Sequence, residues 1–303
     1  MRIAVTGSTG LIGSALVRSL LADGHEVLRL VRRRSLVGVR ADGTTGVGWN
    51  PHRLEIDAAG LEGVEAVVHL AGAGVGDRRW TESYKREIRD SRVLGTETVA
   101  AALARLKQPP RVLVSASAVG YYGQTGDRVI DEDAPPGDDF LARVCVEWEA
   151  AARPAADAGI RVVHPRTGLV LSAAGGAAGR MVPLFRLGLG GRLGSGEQYW
   201  SIIALADEVA ALRFLIDQKE MSGPVNLTGP HPVTNRELTE AFGRVLGRPT
   251  PFPVPTAALR AVLGEMAVEV VGSHRVVPDR LLAAGFRFRY PDADGAVRAA
   301  LAR

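Results

Sequence analysis

Glycines 7, 10 and 13 fall in the string Thr6-Gly7-Ser8-Thr9-Gly10-Leu11-Ile12-Gly13, almost at the N-terminus. An apolar run, Arg2-Ile3-Ala4-Val5, precedes it, and Ser14 to Ala22 follows with an apolar face of Leu16, Val17, Leu20 and Leu21. A strand entering a helix through glycines at this spacing meets the needs of a dinucleotide pyrophosphate. The turn is tight, the backbone approaches the phosphates closely, and the helix packs hard against the sheet. The first turn of the helix adds unpaired N–H groups and a partial positive charge. The strand before and the helix after distinguish the motif from a glycine-rich turn. Further on, His25 to Val31 alternates into a second strand, whose end lies beside the adenosine ribose in such a fold. That end carries Arg32, Arg33 and Arg34 and no acid. A carboxylate there accepts from a 2′-hydroxyl, whereas a guanidinium matches a 2′-phosphate. The pattern therefore predicts NADP(H) rather than NAD, with Arg32 and Arg33 on the phosphate.

The elements that position these groups alternate along the chain. Thr44 to Asn50 reads as a third, short strand and Pro51 to Gly60 as a loop. Glu65 to Leu70 reads as a fourth strand ending in Ala71-Gly72-Ala73-Gly74, small enough for a cofactor to lie against the backbone; His69 within it reads as a packing residue. Thr81 to Leu106 is helical with Thr81 as its cap, Arg111 to Ser117 is a fifth strand, Asp139 to Ala158 a helix, and Ile160 to His164 a sixth strand. Strands alternating with helices predict an α/β fold, a Rossmann-type doubly wound parallel sheet. Residues 1–170 form the dinucleotide-binding domain, with 200–220 packing back onto it, and 171–303 form a smaller C-terminal substrate domain. Within the latter, Gly175 to Gly196 reads as a substrate-side loop without clear period, and Ala206 to Lys219 as a helix. Val225 to Leu227 reads as a strand, Thr234 to Leu246 as an amphipathic helix capped by Thr234 or Asn235, and Asp294 to Ala302 as a last helix.

Bulk properties narrow the function classes. The chain has 303 residues, 46% hydrophobic and 23% charged, as in a globular protein. No apolar run is long enough to span a bilayer, and no basic-then-apolar leader precedes the first strand. The single cysteine, Cys145, fits a reducing cytoplasm and reads as a buried structural thiol. The net charge of +4 comes from arginines scattered among acids, with lysine only at 85, 107 and 219. That pattern is a solvated surface with a local anion site, not a nucleic-acid footprint. No His/Cys/Asp cluster has metal-ligand spacing. The expected partner is a small-molecule substrate, and the expected state a monomer or a homodimer.

These segments together resemble the extended short-chain dehydrogenases/reductases, which include nucleotide-sugar epimerases and dehydratases. The resemblance covers the whole chain. Thr6 to Gly13 is similar to the T-G-x-x-G-x-x-G motif, His69-Leu70-Ala71-Gly72 to the fourth-strand motif, and Pro165-Arg166-Thr167-Gly168 to the R-P-G turn near the nicotinamide. Trp200 to Asp207 is similar to the W-x-x-I-x-x-x-D stretch. More narrowly, four strings resemble the epimerase-family branch with its own C-terminal domain. They are Arg79-Trp80-Thr81, Ser91-Arg92, Ser115-Ala116-Ser117-Ala118-Val119-Gly120-Tyr121-Tyr122-Gly123, and Gly285 to Pro291. The resemblance implies that the cofactor rests on Gly7, Thr9, Gly10, Leu11, Ile12 and Gly13, on Leu70, Ala71 and Gly72, and beside Ser115, Pro165 and Arg166.

The resemblance also implies a tyrosine four residues before a lysine, whose cation lowers the phenol pKa for proton transfer. No Tyr-x-x-x-Lys is present. Phe140 stands where the tyrosine belongs, Val144 where the lysine belongs and Arg92 where an asparagine is usual; of the usual set only a serine, Ser117, remains. Three outcomes stay open. Tyr121 or Tyr122 serves as a relocated acid beside Ser117; Arg92 or Lys85, seven residues apart on one helix, supplies the missing cation; or the domain binds NADP(H) as a regulatory or interaction protein without turnover. The expected activity is that of an NADP(H)-dependent oxidoreductase, or an epimerase or dehydratase using transient oxidation, on a small polar carbonyl or hydroxyl compound.

Overall fold

The computed structural model describes residues 1–302. Seven strands build one parallel sheet: β1 (Arg2–Thr6), β2 (Glu26–Val31), β3 (Thr45–Asn50), β4 (Ala66–His69), β5 (Val112–Ser115), β6 (Arg161–Thr167) and β7 (Gly223–Leu227). Their order is β7-β6-β5-β4-β1-β2-β3, with Gly38–Val39 added antiparallel at the β3 edge. Such a sheet is covered on both faces, which is why Ile3-Ala4-Val5 and Ala66-Val67-Val68 read as unbroken apolar runs. Val5 and Val68 face Leu16 and Leu20 of α1 (Leu11–Ala22) and Leu212 of α6 (Leu205–Asp217). Ala4 and Val67 face Val99 and Leu103 of α2 (Glu82–Leu103). Strand order reverses between β1 and β4, so the loops after these two strands open a crevice at their carboxyl ends, where ligands bind in folds of this kind.

Two helices differ from the expectation. The helix expected from Asp139 to Ala158 is two, α3 (Phe140–Ala150) and α4 (Arg153–Asp157), because Pro154 lacks a donor and starts a new first turn. The expected loop over Gly175 to Gly196 contains α5 (Gly176–Arg186). Its apolar positions Ala178, Val182 and Phe185 bury one face, and Phe185 stacks on Phe242 of α7 (Asn235–Leu246) at 4.7 Å. Gly176, Gly179 and Pro183 hide that period in the sequence. The expected loop at Pro51 to Gly60 also holds a short strand, Glu55–Ile56, paired with β3.

The sheet does not end with the sequence segment first assigned to it. α6 packs on α1, and β7 pairs with β6 from Gly223 opposite Val163 to Leu227 opposite Thr167, so the parallel sheet draws a strand from beyond residue 170. The rest of the C-terminal part is a layer of helices: α7, α8 (Thr256–Leu263), α9 (Ala267–Val271), α10 (Asp279–Ala283) and α11 (Ala293–Leu301). Thr234 and Glu237 form a capping box at α7, satisfying two first-turn donors reciprocally. The Gly285–Pro291 string clamps the layer to the sheet. Both oxygens of Asp207 on α6 accept backbone N–H bonds, from Arg289 and Tyr290 at 2.9 Å, and Phe286 meets Phe214 edge-on.

Glu208, beside Asp207, is fully buried; Thr167 donates to its Oε1 at 2.8 Å, and Oε2 has no partner. Burial pushes this carboxyl from its ordinary 4.5 up to about 8. Between those values the native state holds a proton that the unfolded chain releases, so stability falls as pH rises across the window. Glu208→Gln keeps the shape and removes the titration. Thermal melts should show the variant gaining in Tm over wild type from pH 5 to pH 8; a difference constant with pH would mean that the carboxylate is ionised inside the fold.

Candidate dinucleotide and substrate site

The crevice at the ends of β1 and β4 is shaped by missing side chains. Gly7 has φ +61°, and a Cβ on it would lie 2.6 Å from the Leu70 carbonyl oxygen. A Cβ on Gly13 would lie 2.2 Å from the Gly7 carbonyl oxygen, so the first turn of α1 rests directly on the loop. Gly10 caps α1 with no side chain, leaving the first-turn N–H groups to a ligand. Thr6 ties the two loops together. Its Oγ1 accepts from the N–H of Leu70 at 2.9 Å and of Ala71 at 3.1 Å, and therefore gives its own proton to Nδ1 of His69 at 2.8 Å. His69 is then neutral, in keeping with burial that pulls its pKa down to about 4. It packs edge-on against Trp49 and beneath Gly95 of α2, a structural role.

The 2′-phosphate candidates lie at the ends of β2 and β3. A cleft of about 430 Å³ there is lined by Arg32, Arg34 and Arg53, with Trp49, Glu55 and Asp57. Arg33 is exposed and does not line it, whereas Arg34 and Arg53 do. Arg29, missed in the sequence, holds the motif loop from β2. It donates to the Ser8 carbonyl at 3.2 Å, to Thr44 Oγ1 at 3.1 Å and to Asp42 at 2.8 Å. Asp42 also pairs with Arg40 at 3.8 Å, so the acid of this edge is already occupied.

The proton-transfer candidates are not brought to one surface. Ser117 donates to Glu149 Oε1 at 2.6 Å. Glu149 receives Arg166 in a fork, Nε to Oε1 at 2.8 Å and Nη2 to Oε2 at 2.9 Å. Nη1 of Arg166 donates at 2.9 Å to the Tyr122 hydroxyl, which donates onward to Asn226 at 2.7 Å. Tyr121 lies face-on to the same guanidinium, 3.4 Å from its carbon. Burial pushes the Tyr122 phenol up to about 12, so it stays protonated, and its proton is given to Asn226. Tyr122, expected as a relocated acid, lies in a buried network and does not line the cavity beyond the ends of β5 and β6. Arg166, expected beside the cofactor, is 3% exposed and belongs to that network too. Ser115 is fully buried, and Pro165 sits within β6 opposite Val225. Lys85, the other cation expected, is engaged away from this network. Its ammonium is taken by Glu265 at 2.6 Å and Glu82 at 3.5 Å, and so ties α2 to the C-terminal layer.

Arg92, of the proposed catalytic residues, lines a cavity. Its Nη1 donates to the carbonyls of Ala73 and Ile88, both at 3.0 Å, and Ser91 accepts from Ala73 N–H at 3.0 Å. The Ser91-Arg92 pair thereby fixes the loop after β4, and Gly72 leaves room for the guanidinium beside it. The cavity, about 370 Å³, lies beyond the ends of β5 and β6 and is walled by Arg92, Val144, Cys145, Trp148, Glu269 and His274 among others. Cys145 is buried, its thiol pushed up to about 12 by desolvation, and its S–H donates to the Ala118 carbonyl at 3.8 Å; it is a packing residue. Phe140 packs edge-on against Trp80 and presents no polar atom.

A model of the NAD dependent epimerase/dehydratase family matches residues 3–228, and one of a domain of unknown function, DUF1731, matches residues 254–300. An epimerase family protein of Mycobacterium bovis is 51% identical over 289 residues, covering 95% of this chain and 93% of that one. The chain belongs to the NAD dependent epimerase/dehydratase family. Within it, the human epimerase family protein SDR39U1 is 36% identical over 98% of this chain and 99% of its own. A crystal structure of that human protein with NADPH superimposes with a TM-score of 0.89 over 99% of both chains. MoeE5 in complex with UDP-glucose and NAD, at 21% identity and a TM-score of 0.75, shares the fold. The family match spans the cradle at Gly7, Gly10 and Gly13, and the DUF1731 segment supplies Glu269 and His274 to the cavity. Among the described residues no helix is long and apolar enough to cross a membrane.

Removing one partner of the buried Glu149–Arg166 pair leaves a charge without compensation, and such losses cost about 3–5 kcal/mol. Glu149→Ala should lose stability on that scale in urea titration, while Glu149→Gln, which still accepts one bond, should lose less. Equal, small losses would show that the pair is solvated.

Proposed function

We propose that the protein is an NADP(H)-dependent oxidoreductase acting on a small carbonyl or hydroxyl compound. The observation that carries this is the cradle at β1 and β4, where side chains are excluded at Gly7 and Gly13 and the first turn of α1 has no side-chain cap. Those residues fit a pyrophosphate. The adenosine end would reach the cleft of Arg32, Arg34 and Arg53, where three guanidinium groups face two carboxylates and favour an anion. The NADPH in the human relative's crystal structure supports the same preference.

Bound in this crevice, a nicotinamide dinucleotide supplies reversible hydride transfer. The chain's own contribution is positioning and charge. Ala71 and Gly72 leave a bare backbone past which the cofactor runs, held in place by Thr6. Arg92 presents a cation to the cavity and so stabilises negative charge on a substrate oxygen. The epimerase or dehydratase chemistry of the wider family would use the same transient oxidation. Action in a reducing cytoplasm accords with the single free thiol.

A second reading, NADP(H) binding without turnover, is favoured by Phe140 and Val144 at the positions of the usual tyrosine and lysine. The first measurement is equilibrium titration of wild type and Arg32→Ala with NADPH and NADH. The expected result is NADPH bound at least about 10-fold tighter than NADH in wild type, with that margin reduced in the variant by loss of a charge-assisted contact. Equal binding of both cofactors removes the arginine assignment; binding of neither removes the function. Oxidation of bound NADPH by a panel of carbonyl compounds then separates the enzyme from the binding protein.

A further inference from the structure

Three polar groups on the wall of the cavity beyond β5 and β6 have no side-chain partner. Arg92 spends one nitrogen on two backbone carbonyls and rests its guanidinium over Trp148, 5.0 Å from the ring centroid, with no carboxylate paired to it. Burial without an anion holds its pKa below the ordinary value. Glu269, on α9, makes no hydrogen bond within the described residues although it is largely covered, and its carboxyl is pushed up to about 7 by burial and by Asp139. His274 is 9% exposed, its Nε2 is sealed without a partner among the described residues, and burial lowers its pKa from the ordinary value. The other titratable groups facing Glu269 are the Cys145 thiol across the cavity and Asp139 at the cap of α3; Lys85 is engaged by Glu265. Around these groups the wall is apolar: Val75, Val144, Leu169, Trp200, Met266 and Val270. With Glu269 protonated below neutral pH, Arg92 leaves the cavity lining positively charged, and Asp139 lies outside that lining although close enough to act on Glu269.

We propose that this cavity binds a compact, mainly apolar monoanion, a molecule with an aryl or branched aliphatic body and one carboxylate, with the carboxylate on Arg92 and the body against Trp148, Val144 and Met266. The inference rests on the reading of this crevice as the substrate end of a dinucleotide site and names the class of substrate. A nucleotide sugar carries two phosphate charges and a rim of hydroxyls, for which one cation and an apolar wall are a poor match. A buried guanidinium, by contrast, gains most from a carboxylate that it can hold through two parallel N–H bonds. The C-terminal DUF1731 segment closes the site with Glu269, which as a protonated acid adds no negative charge of its own against the ligand.

The test is calorimetric titration of the full chain with 3-phenylpropionate, 4-methylvalerate, the uncharged 3-phenylpropionamide and UDP-glucose at pH 6, 7 and 8, with NADPH titrated in parallel. The expected result is binding of an acid, at least about 10-fold weaker binding of the amide, and a similar loss for the acid in Arg92→Met. Acid binding should weaken as pH rises through about 7, because an ionised Glu269 repels the ligand, and this decline should vanish in Glu269→Gln. If Arg92→Met fails to fold, Arg92→Lys and the acid–amide comparison on wild type decide the matter. No heat from either acid, equal binding of acid and amide, unchanged acid affinity in a folded Arg92 variant, or tighter binding of UDP-glucose overturns the proposal. Acid binding without NADPH binding would instead remove the dinucleotide reading and leave the cavity assignment standing.

Discussion

The fork between Glu149 and Arg166 joins α3 to β6, and its remaining valences draw in most of what lies between them. Ser117 spends its proton on Glu149, Tyr122 accepts from Arg166 and passes its own proton to Asn226 on β7, and Tyr121 lies against the guanidinium. A charge pair removed from water is held only when its other hydrogen-bonding capacity is also met. The hydroxyls around it are therefore committed to structure. This explains why a sequence with Ser, Tyr and Tyr at a strand end, the right chemical types for proton transfer, does not present them to the cavity.

The same constraint separates two ends of one crevice. At the β1–β4 end the structure is defined by absences: no side chain at Gly7 or Gly13, no cap at Gly10, and a threonine that satisfies the loop N–H groups. At the β5–β6 end it is defined by unpaired charge on an apolar wall. Phosphates suit the first environment, where backbone dipoles are fixed and water remains near. A single carboxylate on a hydrophobic body suits the second, where desolvation strengthens each interaction and penalises every polar group left without a partner.

Legibility in the sequence followed the range of the interactions. The glycine turn, the strand runs and the cap at Thr81 are local, so spacing and residue type were enough, and for α7 they narrowed the cap to Thr234 or Asn235. Helix α5 was hidden because Gly176, Gly179 and Pro183 break its propensity, while packing of Phe185 on Phe242 some 57 positions later restores it. The choice between Arg33 and Arg34 depends on how the chain turns after β2, which no period records. Glu269 and His274 carried no signal at all. They become site residues only because the C-terminal layer folds back over α2 and α3, anchored by Lys85 on Glu265 and by Arg79 on the Ala261 carbonyl.

That anchoring gives the C-terminal segment a physical reason to accompany this Rossmann sheet. With Phe140 and Val144 in place of the tyrosine and lysine, the wall formed by α3 offers bulk but no proton and no cation. In the proposed site the cation is Arg92 from α2, and the C-terminal layer supplies a carboxyl, Glu269, to a cavity that neither Glu147 nor Glu149 of α3 lines. A carboxyl on a separate layer has its pKa set by how tightly that layer closes. Burial raises it toward neutrality and Asp139 raises it further, whereas opening of the layer would return it to water and to its ordinary value. Lys85 and Arg79 hold that layer in place, and so help to keep Glu269 buried without lining the cavity themselves.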